Sequence, residues 1–144
     1  MAAGEGTRMR SSLPKVLHPM CGRPLVAWPV LAARAAGAQR VAVIVSPDRD
    51  LSPALPEGTE TVVQPEANGT GGALLAALPV IQESETVVVL SGDVPLVSGE
   101  VVSGLVETHE SAAAAATVMT TELDEPGAYG RIVRGTGGDI ERIG

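Results

Sequence analysis

Three glycine-rich stretches carry side chains able to do chemistry. The first is Ala2-Ala3-Gly4-Glu5-Gly6-Thr7-Arg8-Met9, followed by Pro14-Lys15. Glycines let backbone N–H groups approach a phosphate closely and form an anion-binding concavity. Arg8 adds a planar fork of donors to such a loop, and Lys15 a point charge. Neither familiar nucleotide loop is present. A dinucleotide fingerprint needs glycine where Met9 stands, and no Gly-Lys-Ser/Thr sequence occurs in the chain. Taken alone, the stretch also reads as an ordinary glycine-rich turn.

The second stretch, Ser91-Gly92-Asp93-Val94-Pro95-Leu96, directly follows an apolar run. A carboxylate there projects from the carboxyl edge of a sheet, where Mg²⁺ bridging substrate phosphates is commonly held by one or two acids. A plain Gly-Asp turn before a proline is the alternative. The third is Gln64-Pro65-Glu66-Ala67-Asn68-Gly69-Thr70-Gly71-Gly72-Ala73. Gln64 offers donors and an acceptor to the edge of a base. Gly69, Thr70 and Gly71 can set amides and a hydroxyl beside a ribose or phosphate at a helix start. The plainer reading is a connection with Thr70 as helix cap. A fourth motif, Ala128-Tyr129-Gly130-Arg131, reads equally as a turn with its Arg in water. His18 and His109 lack partners at metal-ligand or triad spacing, and Cys21 has no nearby His.

These residues need a scaffold, and the pattern supplies an alternating one. Residues 41–45 form a β-branched run, as in a strand buried on both faces. Residues 61–63 predict a second short strand, and 86–90 the strongest strand in the chain. Helices are predicted over 24–36, 70–82 and 98–109, the last opened by Ser98 with Glu100 in its first turn. Pro29 must kink the first helix or delay its regular start. Residues 46–58 read as a polar connection and 112–121 as a strand. Residues 131–134 and 139–143 read as a hairpin about Gly135-Thr136-Gly137-Gly138. The expected class is α/β: a doubly wound, mostly parallel, Rossmann-like sheet binding its ligand at the strands' carboxyl ends.

Composition narrows the function further. A chain of 144 residues and 14.6 kDa is one domain's worth of protein. With one Trp, one Tyr and no Phe, it has no base-stacking platform for single-stranded nucleic acid. No run approaches the length of a membrane span, and the N-terminus lacks the apolar core of a secretory signal. The lone Cys21 excludes an internal disulfide framework. A cytoplasmic domain with neither nucleic-acid nor membrane partners is expected. Residues 1–23 carry Arg8, Arg10, Lys15 and Arg23 against Glu5, a net +3, whereas the rest holds six basic and sixteen acidic groups, a net −10. A basic loop on an acidic protein suits a small, highly anionic ligand, or is simply a solvated loop; it does not suit duplex DNA.

In this order, the motifs resemble the sugar-phosphate nucleotidylyltransferases, and among them the uridylyltransferase domain of bacterial bifunctional N-acetylglucosamine-1-phosphate uridylyltransferases. The resemblance is carried by the Ala2–Met9 loop with Pro14-Lys15-Val16-Leu17-His18, by Gly22-Arg23-Pro24-Leu25, Gly69-Thr70-Gly71, Gly92-Asp93-Val94-Pro95-Leu96 and Tyr129-Gly130-Arg131. It implies a Mg²⁺-dependent transfer from UTP to N-acetylglucosamine-1-phosphate that yields UDP-N-acetylglucosamine and pyrophosphate, a step in peptidoglycan precursor supply. By the same resemblance, the Ala2, Ala3 and Gly4 backbone and the Gln64 side chain contact uracil. Gly6 and Thr7 belong to the nucleotide loop, and Gly69 and Thr70 hold the uridine. Arg8 and Lys15 bear on the phosphates, Asp93 holds Mg²⁺, and Gly130 approaches the amino-sugar 1-phosphate.

The chain departs from the family pattern in several places. Met1 stands where a first strand should end, and a second, Asn ligand for Mg²⁺ and further sugar contacts are expected beyond Gly144. Ala67 replaces a common Gln, and Ser91 stands where a Tyr can occur. Residues 1–144 are therefore expected to be a partial UTP-binding domain, with the first strand and C-terminal part missing and no acetyltransferase β-helix domain. Such a piece is expected to be inactive alone, and the oligomerisation of full-length relatives is expected to run through that further domain. Another nucleotidylyltransferase of the same fold, or a non-catalytic nucleotide-binding module, fits the same motifs.

Overall fold

The computed structural model describes residues 1–4, 9 and 11–144; Glu5, Gly6, Thr7, Arg8 and Arg10 lie outside the described residues. Two compact units follow one another, Met1–Thr108 and His109–Gly144. The first holds the glycine-rich stretches singled out above, apart from the 128–131 motif.

After a 3₁₀ turn at Lys15–Leu17, β1 (Pro19–Met20) and β2 (Arg23–Pro24) pair antiparallel. Cys21 and Gly22 make the turn between them, both at positive φ (49° and 78°), as a type I′ hairpin requires. The Trp28 indole N–H donates to the Met20 carbonyl at 3.2 Å, and Arg23 lies 5.5 Å over the Trp28 ring, fastening the ribbon to the following helix. That helix, α1, spans Ala27–Ala35 rather than 24–36. Pro29 explains the delay: it lies in the first turn, where an N–H has no intrahelical partner to lose.

β3 (Ala42–Val45) and β4 (Glu60–Val63) pair in parallel, with Ala42 opposite Glu60 and Val45 opposite Val63. As its β-branched run predicts, β3 is buried on both faces. Val43 and Val45 pack with Ala2, Val16, Val26, Val30 and Leu51 on one side; Ile44 packs with Ala73 and Ala77 of α2 (Gly69–Ile81) on the other. The class is α/β with a parallel pair, as expected. Leu51 corrects the reading of 46–58 as merely polar, because it is among the two most deeply buried side chains described.

Along the free side of β3 the chain's first two residues take a strand position. The Ala2 N–H donates to the Ile44 carbonyl at 2.8 Å, the Met1 nitrogen donates to Leu90 O at 2.8 Å, and the Gly92 N–H donates to Met1 O at 2.7 Å. Met1–Ala2 therefore bridges β3 and the run ending at Leu90, which anchors the start of the first glycine-rich stretch beside the sheet. Residues 86–90 are not a strand, contrary to expectation. Among the described residues, Met1–Ala2 reaches only the end of this run, and Val87 and Val89 are left 42% and 44% exposed. A β-branched sequence makes a strand only where a ladder partner lies alongside it.

α3 (Gly99–Ser111) begins beside Ser98, whose hydroxyl accepts the Val101 N–H at 3.3 Å. In the second unit, residues 112–121 form no strand, against expectation. The expected hairpin is present there as β5 (Ile132–Arg134) paired antiparallel with β6 (Ile140–Ile143). Among the described residues no helix is long and apolar enough to cross a membrane.

Candidate functional site

A cavity of about 550 Å³ opens beside Met1–Gly4, the end of β4 and the residues after Leu90. Met1, Ala2, Ala3, Gly4, Lys15, Gln64, Gly69, Thr70, Ser91 and Asp93 line it, so most of the sequence-predicted site residues converge on one space. Gly6, Thr7 and Arg8 lie outside the described residues. Gly130 is in the second unit, where its neighbour Tyr129 is exposed and the Arg131 N–H donates to Gly144 O.

Each lining residue is held by its own element. Ala2 is 3% exposed and pinned to β3. The Gly4 carbonyl accepts from the Arg49 guanidinium at 3.1 Å, a support that the sequence reading missed because Arg49 lies 45 residues away in a connection. Buried Val16 anchors the 3₁₀ turn that carries Lys15, and the Val26 N–H donates to Val16 O at 3.0 Å. Gly92 places Asp93. A Cβ at position 92 would fall 2.6 Å from Met1 O, so only glycine lets the backbone run this close to Met1.

The Lys15 ammonium donates to Asp93 Oδ2 at 2.6 Å, across 78 residues of sequence. This ion pair, foremost, and the Ser91 hydroxyl hold the Asp93 carboxyl below its ordinary value of 3.8, against the desolvation that raises it. The pair unites a cation from the first stretch and a carboxylate from the second. Gln64, which lines the same cavity and is 5% exposed, follows β4, its N–H donating to Val45 O at 2.8 Å. Its side-chain nitrogen donates to Asn68 Oδ1 at 2.9 Å and to Gly69 O at 3.2 Å. Thr70 was expected to cap α2, but the helix begins at Gly69 and Asn68 occupies the cap position. Asn68 was therefore overlooked, although Asn before a glycine-rich helix start is an available cap signal.

The donor set suits Mg²⁺ of one kind only. Among the described residues no three His, Cys, Asp or Glu side chains cluster, so those residues build no complete metal cage. One carboxylate beside a cavity wide enough for phosphates matches a hard cation that keeps its waters and takes its other oxygens from the substrate. Chemically, the cavity combines a charge pair, a buried amide and backbone edges.

The MobA-like NTP transferase domain family matches residues 1–137. The chain is 45% identical over 147 residues to the bifunctional protein GlmU of Geobacter metallireducens, covering 99% of this chain and 31% of that protein. It is 42% identical over 145 residues to the bifunctional protein GlmU of Shouchella clausii, covering 99% and 32%. It thus spans about a third of the length of these curated relatives. Among solved structures, the UDP-glucose pyrophosphorylase from Acinetobacter baumanii shares the fold, with a TM-score of 0.55 at 24% identity over 78% of this chain and 52% of that one.

Proposed function

Because the chain belongs to the MobA-like NTP transferase domain family, we propose that its cavity binds UTP with Mg²⁺ and serves uridylyl transfer to N-acetylglucosamine-1-phosphate. The observation that carries this reading is the Lys15–Asp93 pair at 2.6 Å in the same cavity as Gln64, Gly69 and Thr70. A phosphate-seeking cation and a cation-seeking carboxylate stand together, facing a wall fit for a nucleoside.

In this reading Gln64 and the Ala2–Gly4 backbone meet the uracil, while Gly69 and Thr70 hold the ribose. Lys15 and Arg8 bear on the phosphates, with Gly6 and Thr7 in the same loop. Asp93 holds Mg²⁺, which when bound neutralises charge on the phosphate oxygens. An oxygen of the sugar 1-phosphate attacks the α-phosphorus. The bond from that phosphorus to the bridging oxygen breaks, and pyrophosphate leaves with the electron pair. The attacking phosphate is already ionised at neutral pH, so no side chain has to take a proton. Catalysis is then positioning and charge neutralisation. A charge about 4 Å from a phosphate is worth ~1 kcal/mol in water but ~4 kcal/mol at an effective dielectric near 20, so Lys15 acts most strongly once the ligand excludes water.

Titration calorimetry of the folded chain with UTP, with Mg²⁺ and with chelator, tests the reading. One-site binding that weakens in chelator is expected. A folded chain that takes up no UTP overturns it.

A further inference from the structure

The Gln64 amide is held by its nitrogen, and the geometry leaves no freedom in which way it faces. Its side-chain nitrogen stands 3.2 Å from the Gly69 carbonyl oxygen. A backbone carbonyl only accepts, so the amide atom facing it is the one bearing hydrogens. The second N–H goes to Asn68 at 2.9 Å, which must turn its oxygen to receive it. Both donors are thereby spent within the protein. What Gln64 retains for a ligand is an acceptor, Oε1.

Asn68 gives up its usual role to do this. At the N-cap of α2 it makes no side-chain cap hydrogen bond, although an Asn oxygen there ordinarily accepts an N–H of the first turn. Its oxygen is directed to Gln64 instead. The side chain lies where a Cβ on Gly72 would be: such an atom would fall 1.6 Å from Asn68 Oδ1 and 2.3 Å from its Cγ. Gly72 is thus the clearance that lets Asn68 reach Gln64. Asn68 itself does not line the cavity.

We propose that Asn68, seated over Gly72, is a positioning residue that locks the Gln64 amide with its carbonyl oxygen available to the ligand, so that the site takes a nucleobase offering an N–H there and rejects one offering a bare ring nitrogen. A free glutamine amide rotates to suit a donor or an acceptor; a locked one serves donors alone. Uracil presents an imino N–H at N3, where cytosine presents an unprotonated nitrogen. The proposal rests on the nucleotide reading above, with Gln64 facing the N3 position of the base.

Two measurements on the full chain test it. In amide NMR the Gln64 side-chain protons exchange slowly in the parent chain, and Asn68→Ala and Gly72→Ala each restore fast exchange. This needs no ligand, and unchanged protection in Asn68→Ala overturns the lock. In binding, the parent prefers UTP over CTP; Asn68→Ala and Gly72→Ala each lower that preference about tenfold, the scale of one hydrogen bond. Asn68→Asp, which keeps an acceptor and adds a charge felt by both nucleotides, preserves the ratio. Adding Gly72→Ala to Asn68→Ala changes nothing further, since the clash partner is gone. Lost protection with an unchanged UTP-to-CTP ratio overturns the selectivity while leaving the lock. No binding of either nucleotide by the parent overturns the nucleotide reading instead.

Discussion

The two walls of the cavity solve opposite problems. On the Gln64 wall the donors are consumed inside the protein, by Asn68 and the Gly69 carbonyl, and the side chain is 5% exposed. That wall is complete before any ligand arrives. On the other wall Lys15 and Asp93 satisfy each other at 2.6 Å, with their side chains 40% and 31% exposed. An ion pair this open to water is worth only ~0–1 kcal/mol, so it separates cheaply when a phosphate takes the ammonium and a cation takes the carboxylate. The first wall is built to discriminate and the second to exchange partners. Substitutions on the two should therefore fail differently: selectivity on one, charge-dependent binding and turnover on the other.

The largest effect is expected at Lys15. In a catalytically competent polypeptide carrying this domain, Lys15→Ala should cost on the order of 10²–10³ in kcat, comparable to removing one preorganised donor from a transition state. Steady-state pyrophosphate release measures it, and the UTP-to-CTP ratio should not move. Near-normal turnover removes Lys15 from the chemistry; a changed base preference breaks the division between the walls.

A smaller effect, on stability, is expected at Gly92. The added methyl of Gly92→Ala meets the Met1 carbonyl at 2.6 Å, a backbone atom that cannot swing aside. Overpacking of this kind costs ~1–3 kcal/mol, and urea denaturation of the variant should show it. Gly72→Ala offers the contrast: its added methyl meets the Asn68 side chain rather than backbone, so it should cost less stability than Gly92→Ala while selectivity falls. Equal losses of stability at both glycines would erase the distinction.

The legibility of these walls differs too. Gln64 and Asp93 stand out as polar breaks after apolar runs, and Lys15 and the Ala2–Gly4 loop through the basic, glycine-rich start of the sequence; the fold brings all of them to one cavity. The β3 run and the β5–β6 hairpin announce themselves by local pattern. The rest depended on partners far along the chain. Residues 86–90 have strand propensity, but among the described residues they have little of the ladder that makes a strand, which depends on partners elsewhere in the chain rather than on their own sequence. Arg49 carries no motif, and the cap signal of Asn68 says nothing of its bond to Gln64; both roles exist only once Gly4 and Gln64 have been brought beside them. Thr70 was the better cap by position alone, but the helix starts one residue earlier, at Gly69, whose φ of +87° suits glycine.

The smallest predicted effect follows from the Asp93 carboxyl. Its folded value lies below 3.8, held down chiefly by Lys15, whereas in the unfolded chain it returns to the ordinary carboxylate range. The folded state therefore binds that proton less readily than the unfolded state. The associated stability is present above about pH 4 and is lost as pH falls through the lowered folded value. Because both partners are partly solvated, the amount is at most ~1 kcal/mol and shrinks with added salt. Urea midpoints of the parent and of Asp93→Asn should differ slightly at pH 7 and converge in acid, where the parent's carboxyl is protonated as well. A gap that widened in acid would mean that Lys15 does not stabilise the ionised carboxylate, and the exchange-ready wall would lose its physical basis.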